Sequence, residues 1–215
     1  MTAFVFDIDG TIIDSMPFHG RSWQGFLERR GAVYPGDSFL RASAGRTGIE
    51  IMREMFGPMS DRAAWALVHE KEEVYRELFR PVFREIDGFR AFARAARESG
   101  IAIACATAGD EKNIAFAVGG LGMGGEFDAL CGAHDVERGK PHPDLFLLAA
   151  RRVGADPASC IVFEDAPLGV AAAHGANMRC VALTTTFSAD HFRALPHPPA
   201  LACRDFAAFL ALAGW

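Results

Sequence analysis

The sequence predicts an α/β protein, a doubly wound parallel sheet with an all-helical cap domain inserted after its first strand. Three observations lead to this prediction. The apolar run at residues 4–6 shows no polar alternation, which is typical of a strand buried on both faces. From about residue 86 onward, strand-like and helix-like segments alternate, as in βαβ units. Between these regions, residues 16–80 contain no strand-like run.

The remaining predicted elements follow one another in order along the chain. The strands after the first cover residues 101–106, 129–131, 160–163, 180–183 and 201–203. The helices between them cover residues 89–99, 111–118, 143–153 and 169–174. We therefore expect an α/β core domain formed by residues 1–15 and 81–215, and a helical cap domain formed by residues 16–80.

The clearest element of the inserted block is a long helix after Ser60. Seven positions in it recur at helical spacing: Ala64, Leu67, Val68, Lys71, Val74, Tyr75 and Leu78. Ser60 is a suitable N-cap, and Pro81 ends the segment. Such a block forms either a separate cap or extra helices packed flat on the sheet, and the cap is the simpler arrangement.

Composition argues against several classes of protein. The chain has 215 residues, a formal net charge of −5 and no block of Lys and Arg, so we expect no nucleic-acid partner. No stretch reaches the roughly 18 apolar residues of a membrane span. The five cysteines are isolated in mostly apolar segments, which indicates buried thiols in a reducing compartment. We expect a cytoplasmic protein that is a monomer or a weak homodimer.

Three common motifs are excluded by their context. Residues 120–125 fit G-x-G-x-x-G but follow a helix and precede a strand, the reverse of the dinucleotide-binding order, and indicate a flexible helix exit. The segment after Asp7 has Phe18 where an EF-hand loop has glutamate. The chain also lacks the nucleotide-binding P-loop motif.

Polar residues stand directly after several predicted strands or just before a core helix. They are Asp7 and Asp9, Thr107, Lys140, and Glu164 and Asp165. Each has a structural explanation on its own, because such residues commonly form turns, cap helices or face solvent. Ligands of open α/β sheets bind at the carboxyl ends of the strands, however, so four acids, one cation and one hydroxyl at one edge indicate a site.

This set resembles the four motifs of the haloacid dehalogenase superfamily of phosphohydrolases. The motifs are D-x-D-G-T at residues 7–11, Thr107, Lys140 in K-P-x-P-D-x-F, and the acidic pair at residues 164 and 165. The resemblance spans essentially the whole chain and implies a Rossmann-like core with a helical cap between the first and second motifs. The chain is most similar to the branch of beta-phosphoglucomutase and sugar-phosphate phosphatases, through His19, Trp23 and the ALTTTF segment at residues 182–187.

The resemblance implies a role for each motif residue. Asp7 would attack phosphorus and form an aspartyl-phosphate. Asp9, protonated at first, would give its proton to the leaving alcohol and then take one from water. Thr107 and the amides of residues 108 and 109 would hold the phosphoryl oxygens, and Lys140 would stabilise the charge of the transition state.

The same resemblance implies Mg²⁺ as the cofactor. Asp7 would bind it through a carboxylate oxygen, Asp9 through its backbone carbonyl and Asp165 through its side chain. Glu164 would bind it directly or through a water molecule. A small phosphorylated molecule is the expected partner, and Ala108 and Gly109 leave room for its anionic group.

Residues of the cap are expected to contact the rest of the substrate. The loop at residues 44–48 resembles the specificity loop of this branch, so Gly45 and Arg46 are candidates, although Arg46 could equally face solvent. His19 could contact the reacting hydroxyl, serve as a hinge residue or lie on the helix surface. Beta-phosphoglucomutases commonly carry lysine where this chain has Ala44, which weighs against mutase activity.

The sequence therefore predicts a Mg²⁺-dependent phosphatase for a small metabolite, a sugar phosphate, with a cap that excludes bulk water. A phosphomutase is the alternative with the same chemistry. A non-catalytic phospho-ligand binding protein is disfavoured because both Asp7 and Asp9 are present. A signalling receiver domain is about half as long and carries its lysine after its last functional strand, unlike Lys140.

Overall fold

A computed structural model of the chain describes residues 2–213 and contains a six-stranded parallel sheet. The strands are β1 (Ala3–Phe6), β2 (Ala102–Ala106), β3 (Ala129–Cys131), β4 (Cys160–Glu164), β5 (Arg179–Leu183) and β6 (Leu201–Cys203). Their order across the sheet is β3-β2-β1-β4-β5-β6. From β1 the chain first adds strands on one side of the sheet, β2 and β3, and then on the other side, β4 to β6. The switch point between β1 and β4 is where ligands bind in folds of this kind.

The inserted block that follows β1 contains four α-helices. They are α1 (Met16–Glu28), α2 (Asp37–Ser43), α3 (Gly48–Phe56) and α4 (Asp61–Phe79). They share a hydrophobic cluster of their own, which includes Trp23, Phe26 and Met52. The hydroxyl of Ser60 accepts a hydrogen bond from the amide of Ala63 and caps α4, as the sequence predicts. This cluster is distinct from those that flank the sheet, although Tyr75 and Phe79 of α4 belong to one of the sheet clusters.

The other helices cover both faces of the sheet. They are α5 (Phe89–Glu98), α6 (Glu111–Leu121), α7 (Asp144–Arg152), α8 (Pro167–Gly175), α9 (Ala189–Arg193) and α10 (Phe206–Ala213). Val5 of β1 points into the cluster with α7 and α8, whereas Phe4 and Phe6 point into the cluster with α5 and α10. Both faces of β1 are therefore buried, which confirms the predicted doubly wound core.

One helix end differs from the prediction. The sequence predicted that α6 ends at residue 118, but the helix continues to Leu121 and ends at Gly122, whose φ is +67°. Gly120 lies inside the helix, and a Cβ there would come within 2.5 Å of the ring of Phe83. Packing therefore requires glycine at a position where sequence propensity favours the end of a helix.

Two predictions from composition, buried thiols and no membrane-spanning stretch, can be compared with the structure. All five cysteines have free thiols and are buried, as expected. Within residues 2–213, no helix combines the length and apolarity needed to cross a bilayer.

Candidate active site

A cleft with about 690 Å³ of empty space, partly open to solvent, lies between the carboxyl ends of the strands and the inserted helices. The predicted residues that line it are Asp7, Asp9, His19, Gly45, Arg46, Thr107, Ala108, Gly109, Glu164 and Asp165. Lys140 alone among the predicted residues does not line it, because its side chain is fully buried beneath. Residues far apart in sequence thus meet at the strand ends.

Lys140 joins two acidic residues in the floor of the cleft. Its Nζ donates to Asp7 Oδ1 at 2.5 Å and to Glu164 Oε1 at 2.6 Å. Burial raises the pKa of Asp7 to about 7, against the opposing effect of Lys140. Burial also disfavours the ammonium, but the two carboxylates outweigh it and raise the pKa of Lys140. A fixed positive charge therefore lies against Asp7.

The acidic pair is held by backbone amides and hydroxyl groups. Glu164 Oε2 accepts from the amides of Asp165 and Ala166 at 2.8 and 2.7 Å. Asp165 accepts from the hydroxyl of Thr11 at 3.4 Å and from that of Thr186. Burial, followed by the charges of Glu164 and Asp7, raises the pKa of Asp165 well above its usual range. Both carboxylates are therefore hydrogen-bonded and lie close to other negative charges.

Two glycines leave room for these carboxylates. Gly10 has a φ of +76°, and a Cβ there would lie 2.1 Å from Asp165 Oδ2. A Cβ at Gly169 would lie 1.8 Å from Glu164 Oε1. The glycine that follows Asp9 in the first motif is thus required by both backbone conformation and close packing.

Asp9 faces the base of the inserted helices. Its Oδ1 accepts from the hydroxyls of Ser15 at 2.7 Å and Tyr75 at 3.0 Å and contacts His19 Nε2 at 2.9 Å. Burial alone would raise the pKa of Asp9, but His19, Ser15 and Tyr75 outweigh it and lower that pKa. The surroundings therefore favour the carboxylate, not the protonated acid with which the expected mechanism begins.

His19 belongs to a buried network and is not a surface residue. Lys71 Nζ lies 2.8 Å from His19 Nδ1 and 2.9 Å from Glu72 Oε1. Because an ammonium only donates, Nδ1 accepts the hydrogen bond, and the ring hydrogen resides on Nε2, facing Asp9. The imidazole also stacks on Tyr75, with 3.9 Å between ring centroids. The network fixes both the tautomer and the orientation of His19.

The loop after β2 differs in one respect from the expectation. The amide of Gly109 donates to Thr107 Oγ1 at 3.0 Å. It is therefore not free to bind an anion, although the sequence predicted that it would be. This short turn forms because the threonine hydroxyl can accept from the amide two residues on. The hydroxyl hydrogen of Thr107 is still available, and both Thr107 and Ala108 line the cleft.

Comparison with known proteins identifies the family. A family model described as haloacid dehalogenase-like hydrolase matches residues 1–177. The chain belongs to this hydrolase family.

Similar proteins agree with this assignment. The hydrolase is 32% identical over 186 residues to a validoxylamine A 7'-phosphate phosphatase of Streptomyces hygroscopicus subsp. limoneus, covering 86% of this chain and 87% of that protein. It is 32% identical over 178 residues to a fructose-1-phosphate phosphatase of Escherichia coli (strain K12), covering 82% and 93%. A beta-phosphoglucomutase structure from Clostridium difficile shares the fold, with a TM-score of 0.84, 23% identity and coverage of 100% and 96%. The predicted family and fold are confirmed.

The donors in the cleft of the hydrolase suit a hard divalent cation. Within residues 2–213, no three His, Cys, Asp or Glu side chains are arranged to surround a metal ion by themselves. Mg²⁺, however, is usually held by one or two carboxylates and keeps several water molecules. Asp7 and Asp165 supply such carboxylates, and the pKa of each is raised first by burial and then by neighbouring carboxylates, effects that a bound cation would oppose. The residues present therefore fit Mg²⁺.

Several residues of the site in this hydrolase were not predicted as such. Lys71 was noted only as part of the helical stripe of α4, yet it is a buried cation in the cleft. The sequence signal was a lysine within an otherwise mostly apolar stripe. Glu72 and Asn113 also line the cleft without a prediction. Arg46 lines it as well, although its guanidinium donates to Glu54 at 2.6 Å.

Proposed function

We propose that this hydrolase is a Mg²⁺-dependent phosphatase that acts on a small phosphorylated metabolite, a sugar phosphate, through an aspartyl-phosphate on Asp7. The observation that carries this proposal is the buried Asp7 carboxylate, 2.5 Å from Lys140, in a cleft that it shares with Asp165. The names of two relatives, a validoxylamine A 7'-phosphate phosphatase and a fructose-1-phosphate phosphatase, support a small phosphorylated substrate.

The first half of the proposed reaction transfers the phosphoryl group to Asp7. A carboxylate oxygen of Asp7 attacks phosphorus, and the bond between phosphorus and the alcohol oxygen breaks. Lys140 offsets the negative charge of the two reacting anions. The hydroxyl of Thr107 and the amide of Ala108 bind the phosphoryl oxygens, and the leaving alcohol takes up one proton.

Asp9 provides that proton and later recovers it. The leaving oxygen takes the proton from the protonated Asp9, which becomes a carboxylate. His19 donates its Nε2 hydrogen bond to this carboxylate, and Lys71 keeps the ring hydrogen on Nε2 by donating to Nδ1. In the second half, the Asp9 carboxylate takes a proton from water as the water oxygen attacks the aspartyl-phosphate. Phosphate leaves, and Asp7 is restored.

The proposed reaction includes a metal. Asp7, Asp165 and the backbone carbonyl of Asp9 would hold Mg²⁺, which supplies positive charge that neutralises the phosphoryl oxygens. Glu164 already accepts from Lys140 and two amides, so we propose that it acts through a water molecule.

We also propose that residues 16–80 form a cap domain that closes over a core of residues 1–15 and 81–215. The contact of Asp9 with His19 joins the two parts, as does the hydrogen bond from Asn113 to Glu72 at 2.8 Å. Closure through these contacts would exclude bulk water from Asp7.

The test is phosphate release from a panel of phosphorylated sugars and polyols, with and without Mg²⁺. We expect Mg²⁺-dependent release that disappears in Asp7→Asn, a near-isosteric change that removes the nucleophile. Release by purified Asp7→Asn at the wild-type rate would contradict the proposal. Conversion of a hexose 1-phosphate to its 6-phosphate without net release would identify a phosphomutase instead.

A further inference from the structure

The end of the cleft that residues 16–80 line carries two cations, Lys71 and Arg46, and both already have anionic partners. Lys71 contacts Glu72 at 2.9 Å, and Arg46 donates to Glu54 at 2.6 Å. A cation paired in this way attracts a second anion much less than a free one does. This end of the cleft therefore offers hydrogen bonds without a net positive charge.

The adjoining end of α6 is acidic. Asp110 caps the helix through its Oδ1, which accepts from the amide of Asn113 at 2.8 Å, and Glu111 lies in the first turn. Asp110 is only 5% exposed, and its Oδ2 has no hydrogen-bond partner in the described part of the chain. A helix N-terminus ordinarily favours an anion, but here the protein's own carboxylates occupy it. Arg76 lies 3.9 Å from Asp110 Oδ1, so the charges at this helix end are already paired and add no free positive charge to the cleft.

Glu72 presents hydrogen-bond acceptors to this end of the cleft. One of its oxygens accepts from Lys71 and the other from Asn113, and each oxygen can accept once more. Arg76 donates to the Asn113 carbonyl at 2.6 Å, so the amide nitrogen must face Glu72. Burial would raise the pKa of Glu72, but Lys71 and His19 outweigh it and lower that pKa. Glu72 therefore stays a carboxylate at neutral pH.

Other parts of the cleft lining are apolar. Trp23, Leu40 and Ile51 line the same cleft, and Trp23 is 4% exposed. A polyol carries hydroxyls that can donate to a carboxylate and C–H groups that can pack on apolar side chains. The combination of acceptors and apolar surface suits such a molecule.

We propose that Glu72 is a specificity-determining residue that restricts the leaving group to a neutral alcohol with several hydroxyls and rejects substrates with a second anionic group. A hydroxyl can donate to Glu72, whereas a carboxylate or second phosphate brings only acceptors and a like charge. This inference rests on the proposed function, because it assumes that the phosphoryl group of the substrate lies at Asp7.

The test compares sorbitol 6-phosphate with 6-phosphogluconate, which share a carbon chain but end in CH₂OH and carboxylate, respectively. Their dissociation constants are measured by calorimetry with Mg²⁺ on the Asp7→Asn protein, where turnover does not interfere. We expect sorbitol 6-phosphate to bind at least about tenfold more tightly. The ratio of the dissociation constant of 6-phosphogluconate to that of sorbitol 6-phosphate should fall at least about threefold when Glu72→Gln is added. The change removes the like charge and leaves Lys71 without its anionic partner.

Glu73→Gln is the matched control, because Glu73 is the next residue on α4, does not line the cleft and has a 58% exposed side chain. It should leave the ratio unchanged. A ratio near one before Glu72 is altered, a ratio that Glu72→Gln does not change, or no binding of either molecule would overturn the inference. Failure of the wild-type protein to release phosphate would count against the proposed function alone, since the binding ratio needs no turnover.

Discussion

Replacing Lys140 by Met removes the ammonium that joins Asp7 and Glu164 but keeps a flexible side chain of similar length. Lys140 Nζ lies 2.5 Å from Asp7 Oδ1 and 2.6 Å from Glu164 Oε1, and its side chain is 0% exposed. The substitution leaves two buried carboxylates without their cation. Removing one member of a buried ion pair costs about 3–5 kcal/mol in the free energy of unfolding. For a chain of this size, that corresponds to a Tm lowered by about 6–20 °C.

The assay is urea unfolding followed by circular dichroism, with EDTA present so that no metal compensates for the lost charge. Lys112→Met is the control, because Lys112 is exposed and should change the free energy of unfolding by less than about 0.5 kcal/mol. Asp7→Asn combined with Lys140→Met should recover at least about 1 kcal/mol, because it removes one of the unpaired charges. A loss below about 1 kcal/mol for Lys140→Met, or strict additivity in the double variant, would refute the reasoning.

Three further predictions concern the surroundings of the site. Thr186→Val removes a hydroxyl that donates to Asp165 and should weaken Mg²⁺ binding about tenfold by calorimetry, whereas Thr184→Val should not. His19→Ala removes a hydrogen bond to the proposed general acid and should lower kcat about a hundredfold with little change in KM, and an unchanged kcat would contradict this role of His19. The pKa of Glu72 lies below its ordinary 4.5, so its stabilising effect is present above pH 4.5 and lost as the pH falls through the lower, folded value. The difference in unfolding free energy between wild type and Glu72→Gln should therefore narrow below pH 4.5, and a gap that stays constant on acidification would contradict this assignment.

The α/β core could be predicted because its elements have local signatures. Residues 4–6 are apolar without alternation, and the structure buries β1 on both faces, with Val5 on one side and Phe6 on the other. Strand ends share one edge of a parallel sheet, so Asp7 and Asp165 could be placed together without knowledge of any contact. Their functional roles stay predictions.

Other features depend on tertiary contacts that a single sequence does not reveal. Lys71 lies on the buried face of α4. A lysine there usually extends its ammonium toward water, but Lys71 Nζ contacts His19 and Glu72 instead. The predicted end of α6 was wrong because the Phe83 ring, which leaves no room for a side chain at residue 120, is distant in sequence. The short helices α2 and α3 had no prediction because too few turns are present to establish a period.

The central claim, that Asp7 becomes phosphorylated, is tested most directly by trapping the phosphoenzyme. The protein is mixed with Mg²⁺ and a stoichiometric amount of an intact sugar phosphate that it hydrolyses, and the reaction is quenched in acid. Borohydride then reduces any aspartyl-phosphate to homoserine. Peptide mass spectrometry then locates the reduced residue, with Asp9 as the internal comparison in the same peptide. We predict homoserine at position 7 and an unchanged Asp9. Phosphate release without homoserine at position 7, or with homoserine at another residue, would contradict the account.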